Sequence, residues 1–475
     1  MAASATASRK ATPTPLPTPS PTRMTGRQRL LLTLLLGAQF MVAVDFSILN
    51  VALPEVGAGL GFSLANLQWI ATAFALSAAG FTLLFGRVAD IVGRKRLFIG
   101  GMAVLGASSL LGGLATGPEV LLAARVLQGL ATAAVTPAGL ALLTTAFREG
   151  PLRERALGLN GALMSAGFTA GAILGGLLTS LLSWRWAFLI NVPVAVLVVA
   201  LSPRMIRDER PSDRPRLDLP GAASVTAGLL LLVFGLTQAG EHGWTSPSTL
   251  VSLAVGAVLV VAFWFVEKRA AEPLVPTALL RLRTVVWGNT AGLVAFVTET
   301  SLVFLLTLYL QKVLGYSPLM TGLAFGVLGL GTVLGGTFGG RVVGRIGTRA
   351  TILTGGLVQA AATATLIALG ASDAWIVLLL AATFVGGVGN MLMIVAFMVT
   401  ATSGLPDADQ GRATGIATMT QQIGITLGTP IMSAVVIASS TTADVLPGLR
   451  VAIGVNAALV AAGAVLAAAC LKRAR

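Results

Sequence analysis

Along this chain, apolar residues recur in long runs separated by short polar breaks, without the one-sided stripe of a soluble amphipathic helix. Fourteen such runs can be read, at 30–53, 66–86, 97–116, 119–146, 157–181, 184–203, 218–239, 248–267, 285–310, 318–340, 350–370, 374–402, 411–438 and 447–471. Runs of this length suit helices crossing a hydrocarbon core of about 30 Å, whereas barrel strands need only about ten residues. Only helices and closed barrels satisfy the backbone in lipid. The pattern therefore predicts an all-α integral membrane protein with 14 transmembrane helices. Composition agrees: 55% of the residues are hydrophobic and 11% charged, against roughly 25% charged in soluble domains.

Charge then gives the topology. Of the 32 Lys and Arg residues, only Arg185, Lys312 and Arg450 fall in loops of one parity, and Arg125 lies inside the fourth run. The others lie on the side of the N-terminus, in clusters such as Arg94-Lys95-Arg96 and Arg341 to Arg349. The positive-inside rule puts both termini in the cytoplasm, in a plasma (inner) membrane. The net charge of +14 is thus accounted for by topology, and no nucleic-acid partner is expected. Residues 1–28, rich in Ala, Thr, Ser and Pro, read as a disordered cytoplasmic tail, with Met24 as an alternative start.

Several chemistries are excluded. One histidine, His242, and one cysteine, Cys470, cannot build a zinc site of the usual kind, so no metal is expected. None of the five lysines precedes Ser or Thr, so a phosphate-cradling loop for ATP is missing. An enzyme is not expected.

The chain repeats itself. "GRVADIVGRKRLFIGG" from Gly86 aligns with "GRVVGRIGTRATILTG" from Gly340 at an offset of 254, and "RALGLNGALMSAGFTAG" from Arg155 aligns with "RATGIATMTQQIGITLG" from Arg412 at 257. These offsets span eight helices, so the halves are parallel repeats with two extra helices between them. The expected organisation is a six-helix bundle over 29–203, a cytoplasmic linker over 204–217 and two additional helices over 218–267. A cytoplasmic loop over 268–284 and a second six-helix bundle over 285–475 follow.

Two acids stand out. Asp45 interrupts "LLGAQFMVAVDFSILNVALP", at a cost of about 2.5–3.5 kcal/mol on insertion scales. The offset of 254 carries Asp45 onto Glu299 in "AFVTETSLV", so the two carboxylates are expected to line a central cavity from opposite sides. A structural role for either, through hydrogen bonds across helices, remains open.

The motifs resemble those of the major facilitator superfamily, specifically its fourteen-helix drug:proton antiporter branch. "GRVADIVGRKR", with Gly86, Asp90, Gly93, Arg94 and Lys95, is similar to the superfamily's loop signature between helices two and three, and its charges can latch one conformation. The second copy has Gly344 opposite Asp90. "RVLQG" at Arg125 to Gly129 resembles the fourth-helix motif, whose arginine the family implicates in proton coupling; a snorkelling arginine is the alternative. "GFTAGAILGG", with Gly167, Gly171, Gly175 and Gly176, resembles the fifth-helix packing signature, although Ala172 replaces its proline. "DFSILNVALP", "WRWAFLINVP", "LDLPGA" and "LYLQKVLGYSP" also resemble fourteen-helix exporters.

The resemblance implies a major facilitator fold of two six-helix bundles plus two inserted helices. It implies export of lipophilic or cationic drugs in exchange for protons, driven by the proton motive force without a cofactor. Asp45, Arg125 and Glu299 are the expected proton-coupling residues, and Glu299, Gln128, Tyr309 and Gln311 the candidate substrate-binding residues. The expected partners are small amphipathic organic compounds, protons and the lipid bilayer, with the protein a monomer. Export or symport of a narrow endogenous metabolite is the alternative.

Overall fold

The computed structural model describes residues 24–62, 66–147, 151–206, 218–270, 273, 278–402, 405, 407–440 and 444–471. Most of the expected tail and residues 207–217 of the expected linker fall outside them. The elements are α1 (Gly26–Leu60), α2 (Gln68–Val92), α3 (Arg94–Gly113), α4 (Pro118–Ala146), α5 (Pro151–Leu181), α6 (Trp186–Leu189) and α7 (Asn191–Met205), then α8 (Leu219–His242) and α9 (Pro247–Glu267), then α10 (Arg283–Leu308), α11 (Pro318–Thr365), α12 (Ile376–Thr402), α13 (Asp407–Ser439) and α14 (Leu446–Cys470). Among the described residues there is no strand, and eleven helices are long and apolar enough to cross a membrane.

Local chemistry sets the boundaries. Thr25 opens α1 with a capping box closed by Gln28, four residues ahead of the predicted apolar run. Pro stands at the start of α4, α8, α9, α11 and α14, where its missing N–H costs nothing. The predicted run 318–340 and most of the run 350–370 lie within the single 48-residue element α11, which breaks at Gly347 with φ 81°. Among the described residues of α5, Ala166–Leu181 form an apolar helical segment.

The helices pack in two groups. In the first, α1 lies on α5 and α4, α2 on α4, and α3 on α4 and α7; in the second, α10 lies on α12, α13 and α14, and α11 on α12 and α14. The groups meet where α5 crosses α11 and α2 crosses α13. Helix α8 touches both α2 and α13, and Thr226 Oγ1 donates to Gly80 O at 2.5 Å. The pair α8–α9 therefore braces one seam between the groups.

The sequence repeat reappears as repeated hydrogen bonds. Gly93 and Gly347 both adopt positive φ, 102° and 81°, which favours glycine. Lys95 Nζ donates to Pro203 O at 3.0 Å near the end of α7, and Arg349 Nε donates to Ala468 O at 2.7 Å near the end of α14. At the opposite face, Arg185 Nη2 donates to Ala115 O at 3.0 Å and Arg450 Nε to Leu369 O at 2.8 Å. Two of the three cations that break the charge asymmetry, Arg185 and Arg450, therefore cap carbonyls just past helix ends.

The end of the molecule remote from Arg94–Arg96 is sealed. A single apolar cluster there joins Ile48–Val56 of α1 to Leu302–Leu310 at the end of α10. Gln311 Nε2 donates across it to Val51 O at 2.8 Å, and Leu319 N to Ser180 Oγ at 3.0 Å.

Candidate functional site

Toward the basic end the two groups part around a cavity of ≈ 440 Å³. Its walls come from α1, α2, α4 and α5 on one side and from α10, α11, α12 and α13 on the other. Phe46, Phe74, Phe168 and Phe296 supply aromatic surface, Met164, Met391 and Met398 adaptable apolar surface, and Gln39, Asn160, Gln421 and Gln422 amides. Among the described residues that line it, Glu299 is the only ionisable side chain. Such a mostly apolar chamber with a few converging polar groups suits an amphipathic organic molecule.

Asp45 is not in that wall. Helix α1 turns Gln39, Val42, Ala43 and Phe46 toward the cavity, a spacing of one helical face, and Asp45 points into the first group, where it is 0% exposed. Its Oδ1 accepts from Gln128 Nε2 at 3.0 Å and from Asn191 Nδ2. Ser109 Oγ accepts from the same two amides, at 2.9 and 3.1 Å. Oδ2 has no hydrogen-bond partner and lies 3.7 Å from Arg125 Nη1. The residues of this knot thus tie α1 to α3, α4 and α7.

Arg125 is held as tightly. It is 1% exposed, donates from Nε to Ile70 O at 2.9 Å and from Nη1 to Gln128 Oε1 at 2.9 Å, and rests 4.2 Å from the centroid of the Phe74 ring. It does not snorkel to a surface. The spacing of "RVLQG" explains the placement: Arg125, Gln128 and Gly129 share one face of α4. A methyl at Gly129 would meet Ser77 Cβ at 2.8 Å, so the missing side chain lets α4 lie against α2.

The second group has a matching knot with no charge. Gln359 Nε2 donates to Thr298 Oγ1 at 3.2 Å, Asn390 Nδ2 to Ala295 O at 3.1 Å and to Gln359 Oε1 at 3.4 Å. Asn456 Nδ2 donates to Thr298 O at 3.0 Å and to Ser301 Oγ at 2.8 Å. Thr298, not Glu299, sits where Asp45 sits. Ser47 Oγ donates to Phe168 O at 2.5 Å and Thr300 Oγ1 to Ile425 O at 3.4 Å; Gly167 abuts Phe40 O and Gly424 abuts Leu293 O. These equivalent contacts set α1 and α10 at an offset of 253, from Ser47 to Thr300.

The expectation of two carboxylates facing one another across the cavity is therefore corrected. The offset of 254 belongs to the loop after the second helix, and a π-helical turn at Tyr309–Val313, with i→i+5 bonds in place of i→i+4, takes up the extra residue. A slip of one residue turns a helix by about 100°. It moves the counterpart of Asp45 from the cavity-facing Glu299 to the buried Thr298.

Of the other expected substrate residues, Gln128 belongs to the buried knot, and the Tyr309 hydroxyl donates to Gly370 O at 2.7 Å in the sealed end. Gln311 bridges the groups there. None of the three lines the cavity. Gln39, Asn160, Gln421, Gln422 and the four phenylalanines do; the only sequence signal for the amides is polarity inside a membrane run, and the phenylalanines have none.

The packing and loop motifs are placed as follows. Gly167 and Gly171 press on Phe40 and Val44 of α1, where a methyl would lie 2.9 and 2.8 Å from their carbonyl oxygens. Gly175 packs on Ile48, and Gly176 on Pro318 of the other group. Gly86 faces open space apart from Pro137 at 4.0 Å, Gly93 makes the turn into α3, and Arg94 and Lys95 line a basic surface pocket of ≈ 360 Å³. The Asp90 side chain lies outside the described residues.

A family model for the Major Facilitator Superfamily matches residues 35–429 and 289–475. The chain belongs to the major facilitator superfamily. It is a membrane transport protein and not an enzyme. Cephamycin export protein CmcT of Amycolatopsis lactamdurans is 40% identical over 418 residues, covering 86% of this chain and 85% of that protein. Puromycin resistance protein pur8 of Streptomyces alboniger is 38% identical, covering 85% and 81%. The lincomycin resistance protein of Streptomyces lincolnensis is 34% identical, covering 81% and 80%. A crystal structure of a variant of the nucleoside transporter NupG shares the fold, with TM-score 0.64 at 14% identity over 94% of this chain and 100% of that one.

Proposed function

We propose that this superfamily member exports amphipathic organic compounds, singly cationic ones preferred, in exchange for protons. The observation that carries the reading is the separation of two acids: among the described lining residues Glu299 alone offers charge to the cavity, while Asp45 is sealed beside Arg125. A cavity acid can pair with a cargo amine. The Oδ2 atom of Asp45, without a hydrogen-bond partner, is where a proton would bind, cancelling the charge that Arg125 balances. Loss of that attraction changes the relative free energy of conformations in which α1, α2 and α4 pack differently, and the same linkage makes cargo and proton influence each other's binding.

In this reading the basic end is cytoplasmic, fourteen spans form two six-helix halves plus α8–α9, and the cavity is open inward. The proton gradient supplies the energy, no cofactor or ATP takes part, and the monomer is the working unit. Export of one compound instead of many is a second reading, favoured by relatives named for single antibiotics.

The test uses purified protein in liposomes with an internal pH dye and an imposed pH gradient. Puromycin and lipophilic cations are added to wild type and to Asp45→Asn. Cargo-driven proton movement in wild type, absent in a folded Asp45→Asn protein, is the expected result. Normal exchange by Asp45→Asn overturns the assignment of the proton to Asp45.

A further inference from the structure

Three rings, Phe46, Phe74 and Phe168, form one patch on the first group's side of the cavity. The centroids of Phe46 and Phe74 are 5.9 Å apart and those of Phe46 and Phe168 are 6.0 Å apart, within the range of aromatic pairing. All three line the cavity, so a planar ring inside it has an aromatic wall to lie against.

Phe74 is unlike the other two. It is 2% exposed, and the Arg125 guanidinium stands 4.2 Å from its centroid, a cation–π contact between two buried groups. Phe74 is therefore the partition between cavity and ion pair. The same stretch of α2 is tied on both sides: Ile70 O, one turn earlier, accepts from Arg125 Nε at 2.9 Å, and Ala75 O, one residue later, accepts from Thr426 Oγ1 of the other group at 2.8 Å. A push on this segment reaches both the ion pair and the contact between halves.

We propose that Phe46, Phe74 and Phe168 form a subsite for the planar aromatic part of the cargo, and that Phe74 transmits its occupancy to the Arg125–Asp45 pair. The transmission half rests on the proton-exchange reading above; the subsite half does not. A ring stacked on the patch holds Phe74 in place over the guanidinium. An empty subsite leaves the ring free to swing toward the cavity, which loosens Arg125 from one of its partners. Phe74 is thus a positioning residue for the ion pair as well as a contact for cargo.

The experiment has a binding arm and a coupling arm, each on the full-length protein. Binding of ethidium, a planar aromatic cation, and of decyltrimethylammonium, a cation without rings, is measured for wild type, Phe74→Leu, Phe74→Tyr and Phe296→Leu in lipid nanodiscs. Phe74→Leu keeps an apolar side chain of similar length, which guards against misfolding. It is expected to weaken ethidium by about 2- to 10-fold, the range a well-placed ring pair supplies, while decyltrimethylammonium changes less than 2-fold and Phe74→Tyr restores ethidium binding. Equal losses for both probes overturn the aromatic subsite.

In liposomes, protons moved per ethidium are compared. Phe74→Leu is expected to lower this ratio, whereas Phe296→Leu, across the cavity and paired with Phe397 at 6.3 Å, weakens binding at an unchanged ratio. A ratio unaltered in Phe74→Leu overturns the transmission. A wild type that moves no proton with any cargo overturns the exchange reading and transmission together, and the binding arm still decides the subsite.

Discussion

The two knots occupy matching places in the two groups and differ in charge. In the first, Asp45 and Arg125 are embedded among Ser109, Gln128 and Asn191; in the second, Thr298, Ser301, Gln359, Asn390 and Asn456 do the bridging with neutral groups alone. Hydrogen bonds between membrane helices are worth only about 0.6–2 kcal/mol each, and amides deliver them without burying charge. The second knot therefore demonstrates that tying four helices at this depth needs no ions. Packing does not explain why the first group carries the cost of two.

The largest test of that contrast removes one charge. Arg125→Leu leaves the Asp45 carboxylate buried without a counter-charge and is expected to cost about 3–5 kcal/mol, read as a fall in unfolding temperature in lipid or detergent. Gln359→Leu, the neutral equivalent, is expected to cost about 1–3 kcal/mol. The double variant Asp45→Leu/Arg125→Leu should recover most of the stability and still move no protons. If Arg125→Leu costs no more than Gln359→Leu, the two knots are energetically alike and the contrast carries no functional meaning.

How far the sequence discloses this arrangement depends on the length scale of its signals. Runs of twenty apolar residues identify helices, and pairs such as Gly93 and Gly347 identify the repeat, because both are local and survive an error of a residue or two. Which way a side chain points does not survive such an error. Asp45 and Glu299 were legible as acids at one depth, yet the π turn at Tyr309–Val313 separates the register of the loop from that of the helix. Gln128 and Tyr309 were legible as intramembrane polar groups, but only the packing of α4 on α1 and α3 and the bond from the Tyr309 hydroxyl to Gly370 O decide that they face away from the cavity. Arg125 was legible as buried chemistry, since its motif fixes two polar side chains, Arg125 and Gln128, and a glycine on one helical face.

A second test, intermediate in size, concerns Glu299 and Phe46, which face the cavity from equivalent positions of α10 and α1. A hydrogen bond to a charged group contributes about 1.5–3 kcal/mol, so Glu299→Gln is expected to weaken a monocation by about 10- to 100-fold. A neutral compound of the same size should change less than about 2-fold. Equilibrium binding at fixed ionic strength separates the two. Equal losses for charged and neutral compounds would make Glu299 a structural residue, and the cavity would then resemble its neutral surroundings throughout.

The smallest effect belongs to the caps, where the two groups agree. Lys95 and Arg349 each place a cation on a carbonyl near the end of the last helix of their own group, which satisfies an acceptor the helix leaves free and complements the helix dipole. Each contact contributes about 0.5–1 kcal/mol, so Lys95→Met and Arg349→Met should lower the unfolding temperature slightly and by similar amounts, with proton exchange per cargo unchanged. Arg94 stands beside Lys95 in the loop motif, and its counterpart beside Arg349 is Thr348. A change in transport rate confined to Lys95→Met would therefore trace to the loop's role in conformational change, because the capping contact itself is common to both groups.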